Sequence, residues 1–124
     1  MKRAELIMNC LDPIHQFYRH LKTREDCIFV DSNIIKNINR FVDRNPSKII
    51  MIDNNIMSFF NTLRNGIYIP GFDGSKYDNY LKDLPDFLLS ISNAKDVREN
   101  IYNKFHLADY WVRYKELYRV RTFL

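Results

Sequence analysis

Glycine and proline are scarce in this chain, with 3 Gly and 4 Pro among 124 residues. So few breakers argue against a disordered or low-complexity polypeptide. Cysteine is nearly missing. Cys10 and Cys27 stand alone, with no histidine or further cysteine at ligand spacing. That excludes a zinc site and points to a reducing, intracellular compartment. Long apolar runs are also wanting. No window approaches the ~20 residues of a membrane span, and the apolar part of Met1–Cys10 is too short and interrupted for a signal peptide. Nor does one sign of charge dominate. With 19 Lys+Arg against 15 Asp+Glu, the formal charge is +4. That is a mixed surface, mildly favourable to an acidic or phosphorylated partner and poorly suited to nucleic acid.

What the chain does have is apolar mass: 46% hydrophobic residues, with 8 Tyr and 9 Phe, in a length that suits one domain. Its most informative stretch is Lys48-Ile49-Ile50-Met51-Ile52-Asp53-Asn54-Asn55. An unbroken apolar run of this kind predicts a strand over 48–52, buried on both faces as in a parallel sheet. Ligands in open α/β sheets collect beyond the carboxyl ends of such strands, where Asp53 and Asn54 sit. The plainer role for Asp53 is to cap the next helix.

Around this strand the pattern predicts alternating elements. Helices are expected over 3–11, 34–41, 55–63, 77–91 (divided or kinked at Pro85), 93–105 and 107–120. Short strands are expected near 16–22, at 27–30 and at 67–69. Strands alternating with helices give an α/β class. Cys27 reads as a buried, inert thiol in a strand. His15, His20 and His106 have no catalytic spacing to a carboxylate or cysteine, and Trp111, Tyr114, Leu117 and Tyr118 read as a packing face.

Several segments, in order, resemble one family. Arg24-Glu25-Asp26-Cys27-Ile28-Phe29 is similar to the Arg-Glu-x-Cys-x-Phe segment of the small C-terminal-domain phosphatases and their Dullard-type relatives. These are the FCP-homology (NIF) domains of the haloacid-dehalogenase superfamily. Asn33-Ile34-Ile35-Lys36 looks like the family's Asn-Tyr-Val-Lys, whose lysine contacts the phosphoryl group. Lys48–Asn54 looks like its Lys-Val-Ile-Ile-Val-Asp-Asn strand, and Asn65-Gly66-Ile67-Tyr68-Ile69 like its Asn-Ala-Ile-Pro-Ile. Asp78 with Leu81–Leu88 resembles a further family segment, and Asp96-Val97-Arg98 follows at the Dullard-like distance. Asn37, Asn55-Ile56, Tyr68, Phe72 and the early Pro85 depart from the pattern.

The resemblance covers roughly residues 4–106. It implies a partial haloacid-dehalogenase-like (Rossmann-like) parallel sheet flanked by helices, with its first catalytic strand missing. Residues 1–106 would be the C-terminal part of an FCP-homology domain, and 107–124 a helical extension. The family's nucleophile and acid/base lie in an Asp-x-Asp-x-Thr loop, and no Asp-x-Asp occurs in these 124 residues. What the resemblance leaves is Lys36 as the phosphate-contacting residue, Asp53 and Asn54 as an incomplete Mg²⁺ site, and Arg24 as a weak substrate contact. One carboxylate alone holds Mg²⁺ poorly. The chain is therefore expected to be an inactive fragment or pseudoenzyme of a phosphoprotein phosphatase, nuclear, cytoplasmic or associated with the nuclear envelope.

The alternative is a non-enzymatic binding module resembling the receptor subunit of the mitochondrial inner-membrane presequence translocase, to which Leu11-Asp12-Pro13 and Phe72-Asp73-Gly74 are also similar. Either way, a missing neighbour strand would leave residues 48–52 with an apolar edge, so self-association or a sheet-completing protein partner is expected.

Overall fold

The computed structural model describes residues 3–118, except for the side chains of Tyr114, Leu117 and Tyr118. The expected packing face is thus testable at Trp111, while the rest of it and Val120 lie outside the described residues. Four α-helices, four short strands and several 3₁₀ turns follow one another: α1 (Arg3–Leu11), β1 (Ile28–Val30), β2 (Asn33–Ile35), β3 (Met51–Asp53), β4 (Gly66–Tyr68), α2 (Tyr80–Ser90), α3 (Val97–Phe105) and α4 (Leu107–Tyr118). β1 and β2 form an antiparallel hairpin, and β3 and β4 a parallel pair with Met51 opposite Gly66 and Asp53 opposite Tyr68. The architecture is mixed α/β with a small parallel sheet, as expected.

Several elements differ from the expected ones, each for a local reason. No strand forms over 16–22. Asp12, buried at 2% exposure, instead accepts hydrogen bonds from the backbone N–H groups of Gln16 and Phe17, both at 2.8 Å, and holds the chain in a turn. The helix expected over 34–41 is replaced by β2 and a 3₁₀ turn at Ile38–Arg40. A two-residue connection, with Asp31 at φ 52°, folds Asn33–Ile35 back onto β1. The apparent helical period there counted Phe41 and Val42, which are 40% and 85% exposed and therefore bury little. The run expected as a strand over 48–52 begins its ladder later, because Asn45 caps a 3₁₀ turn over Pro46–Lys48. The strand is also not covered on both faces, since Ile52 is 37% exposed. Residues 56–65 form a kinked 3₁₀ segment rather than a helix over 55–63.

The C-terminal helices carry the core. Ile67 of β4 packs with Ile91, Val97 and Ile101, and with half-buried Leu84, Phe87 and Phe105. Pro85 lies inside α2 without dividing it. As the sixth helical residue it removes one backbone bond, the one otherwise made to the Leu81 carbonyl. The side chain of Asp96 caps α3 by accepting from the Arg98 N–H at 2.9 Å, and His106 closes that helix with φ 51°. Helix α4 begins at once and buries Trp111 near Phe60, with ring centroids 6.2 Å apart.

Asn65 ties the strand pair to what precedes it. Buried at 4% exposure, its amide donates to the carbonyls of Pro46 at 2.7 Å and Ile49 at 2.8 Å. Asn65→Ala removes both bonds and strips two carbonyls of a donor. The expected loss is about 2–3 kcal/mol, read as a lower urea midpoint with an unchanged m-value; a loss under about 0.5 kcal/mol would mean that water substitutes for the amide.

Candidate functional site

The parallel pair ends at Asp53, and the side chains that gather there come from three segments. Lys36 directly follows β2. Its backbone N–H donates to the Ser58 carbonyl at 2.7 Å, which fixes the end of the hairpin against the 3₁₀ segment behind β3. From that anchor the Lys36 ammonium reaches the Oδ2 of Asp53. The other carboxylate oxygen of Asp53 accepts from the Asn55 N–H at 2.9 Å. Capping is thus divided: Asp53 closes the turn, and Asn55 caps the following 3₁₀ segment by accepting from the Met57 N–H at 3.0 Å. The two partners differ in environment. The Asp53 side chain is 6% exposed and that of Lys36 51%, so a buried carboxylate is balanced by an ammonium that remains open to solvent.

Two clefts meet at this pair. The larger, about 770 Å³, lies between the hairpin and the face of β3 that carries Met51 and Asp53. Its lining includes Lys36, Asp53, Asn54 and Arg24, so the structure brings the four sequence-predicted residues into one place. The smaller, about 520 Å³, lies on the Ile52 side and shares Lys36, Asp53 and Asn54 with the first. Sequence reasoning overlooked Lys22 and Arg40, which line the larger cleft. The signal was their closeness in sequence to Arg24 and Lys36. The mixed surface inferred from composition is accordingly not uniform, because Lys22, Arg24, Lys36 and Arg40 line one cleft, with Lys22 paired to Asp26 and Lys36 to Asp53. Cys27 also lines it, half-buried just before β1, with its Sγ 3.7 Å from the Thr23 carbonyl.

The donors do not amount to a magnesium site. Mg²⁺ requires near-octahedral oxygen coordination. Among the described residues no three histidines, cysteines or carboxylates converge. Asp53 is the lone carboxylate at the strand end, and one of its oxygens already accepts from a lysine ammonium whose charge opposes a cation. Asn54 adds one amide beside Gly71, where a Cβ would lie 3.0 Å from its Nδ2. The arrangement does present an exposed cation on a rigid support, a group that can meet an anion.

Other charged groups are committed elsewhere. The Arg98 guanidinium and backbone N–H both bond Asp96 and hold its carboxyl at about 2, so this pair from the family-like Asp-Val-Arg segment caps α3 and lines a different cleft. Tyr102 donates to Asp109, which pushes its phenol above its usual value. At Asp12 burial is the largest influence and opposes ionisation, but the N–H groups of Phe17 and Gln16 outweigh it and the carboxyl falls below its usual value. No helix among the described residues is long and apolar enough to cross a membrane.

Comparison with known proteins adds an independent observation. The profile of the family described as NLI interacting factor-like phosphatase matches residues 1–98. The chain is 35% identical over 108 residues to CTD small phosphatase-like protein 3 of Caenorhabditis elegans, an overlap of 86% of this chain and 37% of that protein. It is 34% identical to CTD small phosphatase-like protein 2 of Dictyostelium discoideum, over 84% of this chain and 18% of the relative. It is 35% identical to mitochondrial import inner membrane translocase subunit TIM50 of Kluyveromyces lactis, over 79% of this chain and 20% of the relative. The chain thus spans from under a fifth to somewhat over a third of the length of these curated relatives.

Proposed function

We propose, because the chain belongs to the NLI interacting factor-like phosphatase family, that these 124 residues form the anion-facing part of a phosphoprotein phosphatase fold and turn over no phosphate by themselves. The observation that carries this reading is the Lys36–Asp53 pair at the end of β3. It offers an exposed ammonium to a phosphoryl group, while its single carboxylate is already engaged, and among the described residues no group of three metal-ligating side chains gathers beside it. In this reading Lys36 neutralises phosphate charge, Arg24 and Arg40 hold flanking anionic groups, and Asn54 positions a hydrogen bond. Residues 1–106 then serve as the phosphatase-like domain and residues 107–124, which include α4, as its extension.

The test is hydrolysis of a phosphoserine peptide by the pure chain in the presence of Mg²⁺. The expected result is release no faster than the uncatalysed background. Robust Mg²⁺-dependent turnover, abolished in Lys36→Ala, would overturn the proposal.

A second reading, a non-enzymatic module of protein import, is favoured by the likeness to the TIM50 subunits. Electrostatics weigh against one version of it. Presequences are basic and amphipathic, and a cleft in which Arg24 and Arg40 stand beside the paired Lys22–Asp26 and Lys36–Asp53 offers a basic peptide less than an acidic one. Capture of a matrix presequence peptide that competes with an acidic one would reverse this ranking.

A further inference from the structure

Asn65 is the one asparagine of this chain that glycine follows. In an Asn-Gly pair no side chain shields the glycine nitrogen, and glycine reaches the backbone conformations that closure of a cyclic imide requires. That nitrogen gives its proton to solvent and attacks the asparagine Cγ. The bond from Cγ to the amide nitrogen breaks, and ammonia leaves. Water then opens the succinimide at either carbonyl. The product is aspartate, or isoaspartate with the side-chain carbon now in the main chain. No oxidant, metal or enzyme is needed.

The fold holds both reacting groups. The Asn65 side chain is buried, and its Nδ2 donates to the carbonyls of Pro46 at 2.7 Å and Ile49 at 2.8 Å. The attacking nitrogen is occupied as well, because the Gly66 N–H donates to the Leu63 carbonyl. Gly66 is itself buried and opens β4 opposite Met51. For the ring to close, the amide must leave both carbonyls and the Gly66 nitrogen must swing toward Cγ. Both movements require this segment to open.

Neither member of the pair can be exchanged for a slower one without loss. A Cβ at Gly66 would lie 2.1 Å from the Cε2 of Phe59. An aspartate at 65 has no N–H to give, and its carboxylate would face two carbonyl oxygens in a buried place. Isoaspartate would lengthen the main chain just before β4 and displace Gly66 against both Met51 and the Phe59 ring.

We propose that Asn65-Gly66 is a latent deamidation site: the fold keeps it shut, unfolding opens it, and its conversion bars the chain from regaining its original stability. Prolonged unfolding thus becomes one-way through spontaneous chemistry. The site lies at the start of the parallel pair, whereas Asp53 lies at its end, so the proposal does not depend on the phosphate reading above.

The test compares, at one pH and temperature, the native chain, the chain in guanidinium chloride above its unfolding midpoint, and a blocked peptide of residues 61–70 in each solvent. Peptide mapping follows Asn65 and separates the aspartyl from the isoaspartyl product. The denatured chain and the peptide are expected to convert Asn65 at similar rates, ahead of every other asparagine, and the native chain at least about tenfold more slowly. After return to buffer, converted molecules are expected to unfold at a lower urea midpoint than unconverted ones. Asn65→Asp is expected to have a midpoint below that of Asn65→Ala, since it adds a buried carboxylate to the same lost bonds. Native conversion as fast as in the peptide would overturn the proposal. So would another asparagine converting first in the denatured chain, or a parent-like midpoint in the converted chain or in Asn65→Asp. Failure of Asn65→Asp to fold would support it, and the native-against-peptide comparison, made on the parent chain, can still overturn it.

Discussion

Alanine at Gly66 is expected to be the most damaging single-methyl change in this chain. A Cβ built at Gly66 lies 2.1 Å from the Cε2 of Phe59 and 2.3 Å from its Cδ2, far inside contact distance. The ring has no easy retreat. Phe59 is fully buried and sits at a kink of the 3₁₀ segment, with φ −139° and ψ 24°. Nor can the strand yield freely, because Gly66 opens β4 and pairs with Met51. Backbone conformation is not at issue, since φ at Gly66 is −98°, a value alanine adopts readily. The effect is therefore purely one of volume. Overpacking typically costs about 1–3 kcal/mol, and with a rigid ring as the obstacle we place Gly66→Ala at the upper end, about 3 kcal/mol. Against a whole-domain stability of roughly 5–15 kcal/mol, that is a large share. Urea unfolding measures the loss, and Phe59→Leu in the Gly66→Ala background should recover part of it by removing the clashing ring edge. A Gly66→Ala chain within about 0.5 kcal/mol of the parent, or no recovery in the double variant, would show that the ring and the glycine are not in contact.

That contact illustrates what the sequence could and could not disclose. The strand ending in Asp53-Asn54, the first strand near Cys27 and the three C-terminal helices were legible, because each is encoded within a few residues by apolar runs, turn residues or helical spacing. The stretch 34–41 was misread because two isoleucines in a strand followed by a 3₁₀ turn imitate a helical period, and only the pairing of Ile28 with Ile35 decides between them. Such pairing is a tertiary choice that local pattern does not contain. The same holds for Gly66, where turn chemistry was visible in Asn65-Gly66 but the ring behind it was not.

The site divides in the same way. Asp53 and Asn54 were singled out by their place at the end of an unbroken apolar run, Lys36 and Arg24 through family resemblance, and the fold places all four on one cleft. The basic character of that cleft was hidden. Lys22, Arg24, Lys36 and Arg40 are dispersed through the N-terminal third and become neighbours when the β1–β2 hairpin brings Lys36 and Arg40 back toward Arg24. Whole-chain charge averages over that geometry.

Breaking the Lys36–Asp53 pair should give the second large effect, and the effect should be lopsided. Lys36→Met retains most of the apolar stem and removes the charge. Asp53, with a side chain 6% exposed, then keeps only the Asn55 N–H and holds an uncompensated carboxylate in a mostly dry place. Losing one partner of a fully buried pair costs about 3–5 kcal/mol. Here the ammonium is 51% exposed and water already screens it, so a discounted loss of about 1–2 kcal/mol is expected. Asp53→Asn should be milder, because its amide oxygen can still accept from Asn55 and the released ammonium is hydrated at once. The decisive measurement is the double-variant cycle. In the Asp53→Asn background no buried carboxylate awaits neutralisation, so Lys36→Met should cost close to nothing. An equal penalty in both backgrounds would show that the lysine stabilises through its stem, and the pair would lose its standing as a coupled unit. If the coupling is as expected, the same cycle separates stability from recognition. The double variant would be nearly as stable as Asp53→Asn alone yet would lack the cation that faces the cleft, so its binding of a phosphoserine peptide should fall while its unfolding midpoint holds. A fall in both together would assign the lysine to folding alone.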